Sequence, residues 1–192
     1  AFYIKTFVDD GDIIFQSDDG SGGVATYLTI DGGAGFMIAD KKFRHKDNVE
    51  ASFGSSDDMM IKHDGSDGFI QEYTGDLYIR TNANDKDVIF QSDNGSGGVE
   101  TYFYLDGSAS AGAPFTVFPD SSNLTIGTGF DLRLKHDGSH SYIQQTGTGD
   151  LYIQNTVNDK DIILQSDDGS GGTTAYITLD GSEEVINLHQ NI

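Results

Sequence analysis

The apolar positions of this chain come in short runs of four to six residues, each ended by Asp-Gly, Asn-Gly or a cluster of glycine and serine. Within many runs aliphatic residues alternate with other types, as in Leu77-Tyr78-Ile79 and in Leu28 and Ile30 on either side of Thr29. A period of two places alternate side chains on one face of a β-strand. The pattern therefore predicts many short strands with one apolar face, joined by turns, and almost no helix.

One long pattern occurs three times, at residues 10–32, 85–107 and 159–181, which we call the anchor repeats. Each copy contains an apolar triplet, a Gln-Ser-Asp step, a glycine-rich run and a closing Asp-Gly. Alignment of Phe15, Phe90 and Leu164 gives steps of 75 and 74 residues. A fixed period of this length indicates an array of one supersecondary unit.

Other blocks recur between the anchor repeats. Residues 1–6 align with 76–81 and 150–155, where the common feature is an apolar-Tyr-Ile triplet that we interpret as a strand. The alignment divides the chain into a leading half repeat, two full repeats and a C-terminal extension, at residues 1–32, 33–107, 108–181 and 182–192. Since the chain begins inside a repeat and starts with neither Met nor the basic region of a signal peptide, we expect a fragment or a processed chain.

Asp-Gly and Asn-Gly pairs mark the predicted turns. Two of these pairs lie between strand patterns and suit tight hairpins, because glycine tolerates the positive φ that primed turns require. They are Asp64-Gly65 and Asp137-Gly138. The glycine-rich runs of the anchor repeats are too flexible for strands and predict wider surface loops. Their turn residues are Asp19-Gly20, Asn94-Gly95 and Asp168-Gly169.

Charge and composition exclude several classes of partner. The chain carries 31 acidic and 11 basic residues, a formal net charge of -20, which repels nucleic acid phosphates and anionic lipid headgroups. Cysteine is absent, so no disulfide or thiolate chemistry is available. No apolar run approaches the roughly 20 residues needed to cross a bilayer. We therefore expect neither nucleic acid binding nor membrane insertion.

Apolar residues make up only 36% of the chain, and glycine occupies 25 positions. A single repeat of about 75 residues then has too little apolar surface to fold alone. Stacking of repeats, or association of identical chains around an axis, is the physical remedy. We predict an all-β chain whose tandem repeats form an elongated β-solenoid or β-prism-like segment, assembled as a homotrimer. The alternative is a β-sandwich subunit completed by strand exchange with a neighbour.

Two short motifs in combination carry a family resemblance. The motif His-Asp-Gly-Ser occurs at residues 63–66 and 136–139, and Gly-Asp-Leu-Tyr-Ile at 75–79 and 149–153. With the Ala-Ser-Phe-Gly block at 51–54, they resemble the repeated shaft modules of tail-fibre and related structural proteins of marine tailed bacteriophages, including cyanophages. The resemblance implies a β-rich, trimeric, extracellular fibre segment. Family members often carry an N-terminal virion-attachment region and a C-terminal self-cleaving chaperone domain, neither of which has a counterpart here.

Candidate catalytic and metal-binding residues are few. His63 beside Asp64, repeated as His136 beside Asp137, has the residue types of a catalytic pair or a metal ligand set, and a trimer could gather three copies of His63 around an axis. A hairpin flank is favoured instead, because no third ligand or nucleophile recurs with both pairs. We predict no catalytic residue and no metal ligand.

Acidic loops are the remaining source of site chemistry. The loops at residues 9–12 and 18–20 have the carboxylates that Ca²⁺ prefers, yet their spacing matches neither an EF-hand nor a calcium β-roll. Solvated turns are therefore favoured. We expect no cofactor, with Ca²⁺ as the alternative. Glycosidase carboxylates can come from residues far apart in sequence. Most Asp and Glu residues here lie in loops that recur, and an active site seldom recurs with every structural unit.

Three tyrosines occupy equivalent positions in the apolar-Tyr-Ile triplets: Tyr3, Tyr78 and Tyr152. They could form a ladder that stacks on sugars, or cross-strand contacts at a protein interface, and the interface is favoured.

The sequence predicts a non-enzymatic structural segment of an extracellular fibre, in a phage tail fibre or related virion appendage, whose main partner is its own copies. The first alternative is a carbohydrate-binding adhesive module that contacts host surface glycans. The second is a subunit of a pilus-like filament on a bacterial surface, assembled by strand exchange.

Overall fold

The computed structural model describes residues 1–109 and 112–189. This part of the chain contains fifteen β-strands and no helix, so the all-β prediction is confirmed. No helix there could cross a membrane. In chain order the strands are β1 Ile13–Asp18, β2 Val24–Asp31, β3 Phe36–Ala39, β4 Ala51–Phe53, β5 Met59–His63, β6 Gly68–Glu72, β7 Val88–Asp93, β8 Val99–Asp106, β9 Phe115–Val117, β10 Asn123–Ile126, β11 Leu132–His136, β12 Ser141–Gln145, β13 Ile162–Asp167, β14 Thr173–Asp180 and β15 Val185–Leu188.

The strands form five separate antiparallel sheets of three strands, each made of three consecutive strands with the second in the middle. Two compact units divide them. The first unit, Ala1–Ile79, holds the sheets β1-β2-β3 and β4-β5-β6, and the second, Arg80–Ile192, holds the other three. The predicted repeat boundaries at 32, 107 and 181 stay predictions.

Each anchor repeat forms the same hairpin, of a six-residue strand and an eight-residue strand. Every copy has a bulge at the same place, after Phe15, Phe90 or Leu164, where the longer strand contributes one extra residue. The extra residue is always tyrosine, and its hydroxyl donates to the carbonyl of the last residue of the partner strand at 3.1–3.2 Å. A bulge increases the local twist of a strand pair, so the tyrosine fixes the same distortion in all three copies.

The base of each hairpin is closed by an aspartate and a glycine twenty residues apart. In the second anchor repeat the main-chain N–H of Gly107 donates to Asp87 Oδ1 at 2.9 Å. The first and third copies repeat this bond at 3.1 and 3.0 Å. A Cβ on Gly107 would overlap the carbonyl oxygen of Lys86, so this position requires glycine because the two chain segments approach closely.

The sheets β4-β5-β6 and β10-β11-β12 are smaller and have a regular register without bulges. The loop between the last two strands of each sheet has four residues and begins at Asp64 or Asp137. Gly65 and Gly138 in these loops have φ of +106° and +93°, which is the left-handed region that favours glycine. The loops are thus longer than the tight two-residue hairpins expected from the Asp-Gly pairs.

The apolar-Tyr-Ile triplets do not form strands, which corrects the sequence interpretation. Residues 1–7, 76–82 and 150–156 contain no strand, turn or bend, and all of them are exposed. Strand propensity depends on the presence of a partner strand, and the described chain offers none to these residues. We call these three stretches the unpaired segments.

The chain has almost no interior. Among the described residues only Met60 and Thr178 are buried, at 7% and 8% exposure. The total accessible surface is 15491 Å². Within each sheet the three strands are paired with one another, while the two outer edges are open and the side chains have little to pack against.

Candidate functional site

Each sheet has one face on which apolar side chains predominate, and we call these the apolar faces. Residues directly opposite each other in an antiparallel pair lie on the same face, so the strand register defines the rows. Each of the five faces contains at least one row of this kind. The rows are Phe15-Leu28-Ala39, Ile61-Ile70 with Ala51, Phe90-Phe103, Leu124-Leu134-Ile143 and Leu164-Ile177-Leu188.

These faces are exposed in the chain. Ile143 is 63% exposed and Ile70 is 55% exposed, and each lies at the outer end of an apolar row. Scattered apolar residues are normal on a protein surface, but contiguous apolar faces mark sites of interaction. Five such faces in one chain therefore form the largest candidate for a functional surface.

Aromatic side chains reinforce one of the apolar faces. Phe90 and Phe103 stack with ring centroids 4.5 Å apart, and Phe118 extends the stack at 5.6 Å. The equivalents of Phe103 in the other anchor repeats are Leu28 and Ile177, so the stack belongs to one repeat. Sequence reasoning did not identify Phe118, since it lies in a connector without a counterpart in the alignment.

A hollow of about 530 Å³ lies beside this stack, between the sheets β7-β8-β9 and β10-β11-β12 of the second unit. Tyr102, Phe103, Phe118 and Phe130 supply its aromatic lining, and Arg133 supplies a positive charge. Aromatic faces with one or two polar groups are typical of ligand sites. No sequence signal predicted this site, because its residues come from two different sheets.

The glycine-rich loops of the anchor repeats are organised by one side chain. Asp19 Oδ1 accepts hydrogen bonds from the main-chain N–H groups of Ser21 and Gly23 at 2.7 and 3.1 Å. These bonds stabilise the ionised form and lower the pKa of Asp19. In the third copy the Ser170 hydroxyl and main chain, with the N–H of Gly172, lower the pKa of Asp168 in the same way.

Asn94 performs the same function without a charge in the second copy. Its Oδ1 accepts from Ser96 and Gly98 at 2.9 and 3.1 Å. The loop geometry thus needs a side-chain oxygen and not a carboxylate. All three glycines that follow these residues, Gly20, Gly95 and Gly169, have positive φ.

The two His-Asp-Gly-Ser turns differ in how they use histidine. His63 Nδ1 lies 3.1 Å from Asp47 Oδ1 and 3.1 Å from the amide nitrogen of Gly65. His136 Nδ1 instead contacts the Ser141 hydroxyl at 3.1 Å. The neighbouring aspartates accept main-chain hydrogen bonds within their own turns and do not pair with the histidines. The turn recurs, but the contacts of its histidine do not.

The turn aspartates have lowered pKa values. The main-chain N–H groups of Asp67 and Ser66 lower the pKa of Asp64. Those of His140 and Ser139 lower the pKa of Asp137, and the Tyr142 hydroxyl adds to this by donating to Asp137 Oδ2 at 3.0 Å. The same bond raises the pKa of Tyr142. Each shift results from local hydrogen bonds of a turn.

Residues 1–109 and 112–189 contain no group of three or more His, Asp or Glu side chains placed to hold a metal ion. The acidic loops at 9–12 and 18–20 therefore bring together no such group of three carboxylates. The prediction of no bound cofactor, with Ca²⁺ as its alternative, stays a prediction.

The three tyrosines of the unpaired segments are among the most exposed side chains of the molecule. Tyr3, Tyr78 and Tyr152 are 73%, 75% and 78% exposed, so their equivalence in the sequence is matched by equivalent exposure. Tyr78 donates only to Asp76 in its own segment, at 3.4 Å. The tyrosines are available for contact with another molecule.

Features common to all three anchor repeats, such as the bulged tyrosine and the Asp-Gly closure, belong to the structural framework. The aromatic hollow and the His63 contact belong to single repeats.

The chain as a whole has no match among the protein-family models, the curated proteins or the solved structures.

Proposed function

We propose that this chain is a non-enzymatic structural segment of an extracellular fibre and works as a homotrimer, in a phage tail fibre or related virion appendage. The observation that carries the proposal is the apolar face left exposed on every one of the five sheets. Packing against identical sheets of neighbouring copies would cover these faces. In a threefold arrangement the same sheet of three chains encloses a prism-shaped core.

The amount of exposed surface supports association through a large interface. A compact globular protein of 20.7 kDa exposes about 8,900 Å², and two separate globules of half that mass together expose about 10,700 Å². The chain exposes 15491 Å². The surplus is several times the roughly 800 Å² that each partner contributes to a standard interface, and falls in the range of obligate assemblies.

The resemblance of the His-Asp-Gly-Ser and Gly-Asp-Leu-Tyr-Ile motifs to phage shaft modules supports the fibre and the virion location. The charge of -20 supports an exposed, soluble outer surface, since Asp-rich loops keep such a surface from aggregating. We propose further that the assembled segment is an elongated β-solenoid or β-prism.

Negative-stain imaging of the purified chain tests the proposal. We expect uniform rods of one length and width, because the copies lie side by side along the repeats. Compact particles without a long axis would contradict the fibre, and open-ended filaments would favour the pilus-like polymer instead.

The aromatic hollow favours a second candidate function, glycan binding by an adhesive module. Sugars stack on aromatic faces and accept hydrogen bonds from arginine, and Phe130 and Arg133 provide both. Saturable binding to a panel of host-surface glycans, lost in Phe130→Ala and kept in Tyr73→Ala outside the hollow, is the expected result for this function. Equal binding by both variants, or none by the native chain, would remove it.

A further inference from the structure

The unpaired segments are the part of the chain whose sequence and structure disagree most. Each is seven residues long and precedes an anchor hairpin at the same distance. Each has an apolar residue, a tyrosine and an isoleucine in succession, as in Leu77-Tyr78-Ile79. Solvated linkers are usually rich in glycine, serine or proline, whereas this composition is typical of strands.

The main chain of these segments makes no hydrogen bond within the described residues. No main-chain N–H or C=O of residues 1–7, 76–82 or 150–156 pairs with other main chain there. Near the end of each segment the side chain of Thr6, Thr81 or Asn155 accepts from the amide two residues later, and Asn155 Nδ2 also donates to the carbonyl of Asp161 at 3.1 Å. The backbone groups of the apolar triplets are therefore unpaired in the chain by itself.

The apolar side chains of the triplets are exposed. Phe2 and Ile4 are 88% and 60% exposed, and Leu151 and Ile153 are 43% and 64% exposed. Exposed aliphatic residues in an extended stretch, with free donors and acceptors on both edges, have the properties of an edge strand that lacks its neighbour. Three equivalent segments share this condition, so it belongs to the repeat and not to one local sequence.

We infer that the three unpaired segments are strands of intermolecular sheets, each of which pairs with a sheet edge of a second copy of this chain. This inference rests on the proposed homo-oligomer, since it requires neighbouring copies. At about 3.3 Å per residue a seven-residue strand spans about 23 Å, which is close to the length of the six-residue strand at one edge of each anchor hairpin. Every sheet is open at both sides, so edges of suitable length are present in each copy.

The same arrangement would place the tyrosines on the opposite face of the added strand from their aliphatic neighbours. In a strand, Tyr78 points to the opposite face from Leu77 and Ile79. The aliphatic pair would extend an apolar face of the neighbouring copy, and the tyrosine would make cross-strand contacts on the outside. Strand addition of this kind derives its affinity from main-chain hydrogen bonds and its specificity from alternate side chains.

Residue-resolved hydrogen–deuterium exchange on the purified full chain tests this inference. An added strand that pairs along one edge protects every second amide, so either Tyr78 or the pair Leu77 and Ile79 should exchange about 100-fold or more slowly than an unstructured peptide. The equivalent residues around Tyr152 should show the same alternation. Within the described residues of one chain these amides have no partner, so protection there would indicate pairing with another copy.

The outcomes separate this inference from the proposed function. An oligomer whose unpaired segments exchange at the rate of unstructured peptide would overturn the inference and leave the fibre segment standing. A monomer would overturn both.

A proline scan of the same segment provides a second test that does not depend on protection. Proline removes the amide hydrogen, so we substitute it at Leu77, Tyr78 and Ile79 in turn. The substitutions whose amides donate to the partner strand, either Tyr78 alone or Leu77 and Ile79, should shift the assembly towards free chains. The substitutions at the other positions should leave it assembled. Tyr78→Thr, which keeps the amide, and Lys42→Pro, in the irregular connector, are the controls and should stay assembled. Full assembly of all three proline variants would contradict the inference.

Discussion

The anchor hairpins and the unpaired segments recur with the same spacing, and both have the alternation of strands, yet only the hairpins are complete within one chain. In the hairpin of residues 88–106 every strand has a partner, the bulge is fixed by Tyr102, and the base is closed by Asp87 and Gly107. Nine to eleven residues upstream of Val88, Leu77-Tyr78-Ile79 has neither main-chain partners nor side-chain cover within the described residues. Local sequence determines the hairpin, whereas the segment depends on a partner outside it.

The apolar faces belong with the unpaired segments in this comparison. The three strands of each sheet pair locally with one another, but the outer edges and the apolar side chains on one face of each sheet are not covered. Substitutions inside a hairpin should therefore act on the single chain, and substitutions on an apolar face should act on the assembly.

The largest effect is expected from a charge on an apolar face. Ile143→Asp places a carboxylate in the row Leu124-Leu134-Ile143, and its burial between copies would cost several kcal/mol per chain, enough to prevent assembly. In an isolated chain the same change at a 63% exposed residue would alter the free energy of unfolding by less than about 0.5 kcal/mol. Light scattering measures the outcome.

Asn123→Asp is the matched control for this change. It adds the same charge on the opposite face of the same sheet and should leave the mass unchanged. An equal mass for the Ile143→Asp and Asn123→Asp assemblies would contradict the proposed difference between the two faces.

A smaller, local effect is expected at the closure of the hairpin. Gly107→Ala forces a Cβ onto the carbonyl oxygen of Lys86, which should lower the free energy of unfolding by about 1–3 kcal/mol. Gly75→Ala is the control, since nothing lies within 4 Å of the added Cβ, and it should be neutral or stabilising by up to about 1 kcal/mol. Chemical denaturation measures both, and an equal loss in the two variants would contradict a specific close approach.

The Gln-Thr contact across the bulge should contribute still less. Gln91 Nε2 donates to the Thr101 hydroxyl at 3.0 Å, and the first anchor repeat has the same bond at 3.2 Å. In the third repeat Ala175 replaces the threonine, so the hairpin forms without the bond. Thr101→Ala should therefore cost only about 0.5–1 kcal/mol of unfolding free energy and leave the hairpin intact in an NMR spectrum. Loss of the hairpin signals would show that the repeats are not equivalent.

The smallest effect is expected from the loop charges. The folded-state pKa of Asp19 is lowered from 3.8, so its contribution to stability is fully present above pH 3.8 and is lost as pH falls through the lower folded-state pKa. Asp19→Asn keeps the acceptor, as Asn94 does in the second repeat, and should remove this pH dependence without changing the loop. NMR titration of the Ser21 and Gly23 amides measures it. A native titration midpoint at or above 3.8 would contradict the capping account.

The sequence predicts those parts of the fold that are determined by neighbouring residues. Alternation and Asp-Gly or Asn-Gly turns correctly indicated an all-β chain, because hairpin strands lie close in sequence. The sequence did not predict β3, β9 and β15, the third strand of three sheets, because they lie in stretches without a regular pattern. Strands were wrongly assigned at the unpaired segments, since strand propensity alone does not say whether a partner exists in the same chain.

The candidate site was less predictable from the sequence. The sequence favoured a hairpin flank for His63 and Asp64, and it gave no indication that Asp47, sixteen residues earlier, contacts His63. The hollow near Phe118 joins residues from two sheets, and no periodicity reports such a meeting. The apolar faces, in contrast, follow directly from alternation, but their exposure depends on how little of the chain folds over them.

The native mass of the purified chain in solution tests the central claim most directly. The account predicts a stable particle of three 20.7 kDa chains that persists on dilution, because the apolar faces are covered only between copies. A monomer that stays monomeric at high concentration and unfolds cooperatively would contradict it, since such a chain would be stable with its apolar faces in water.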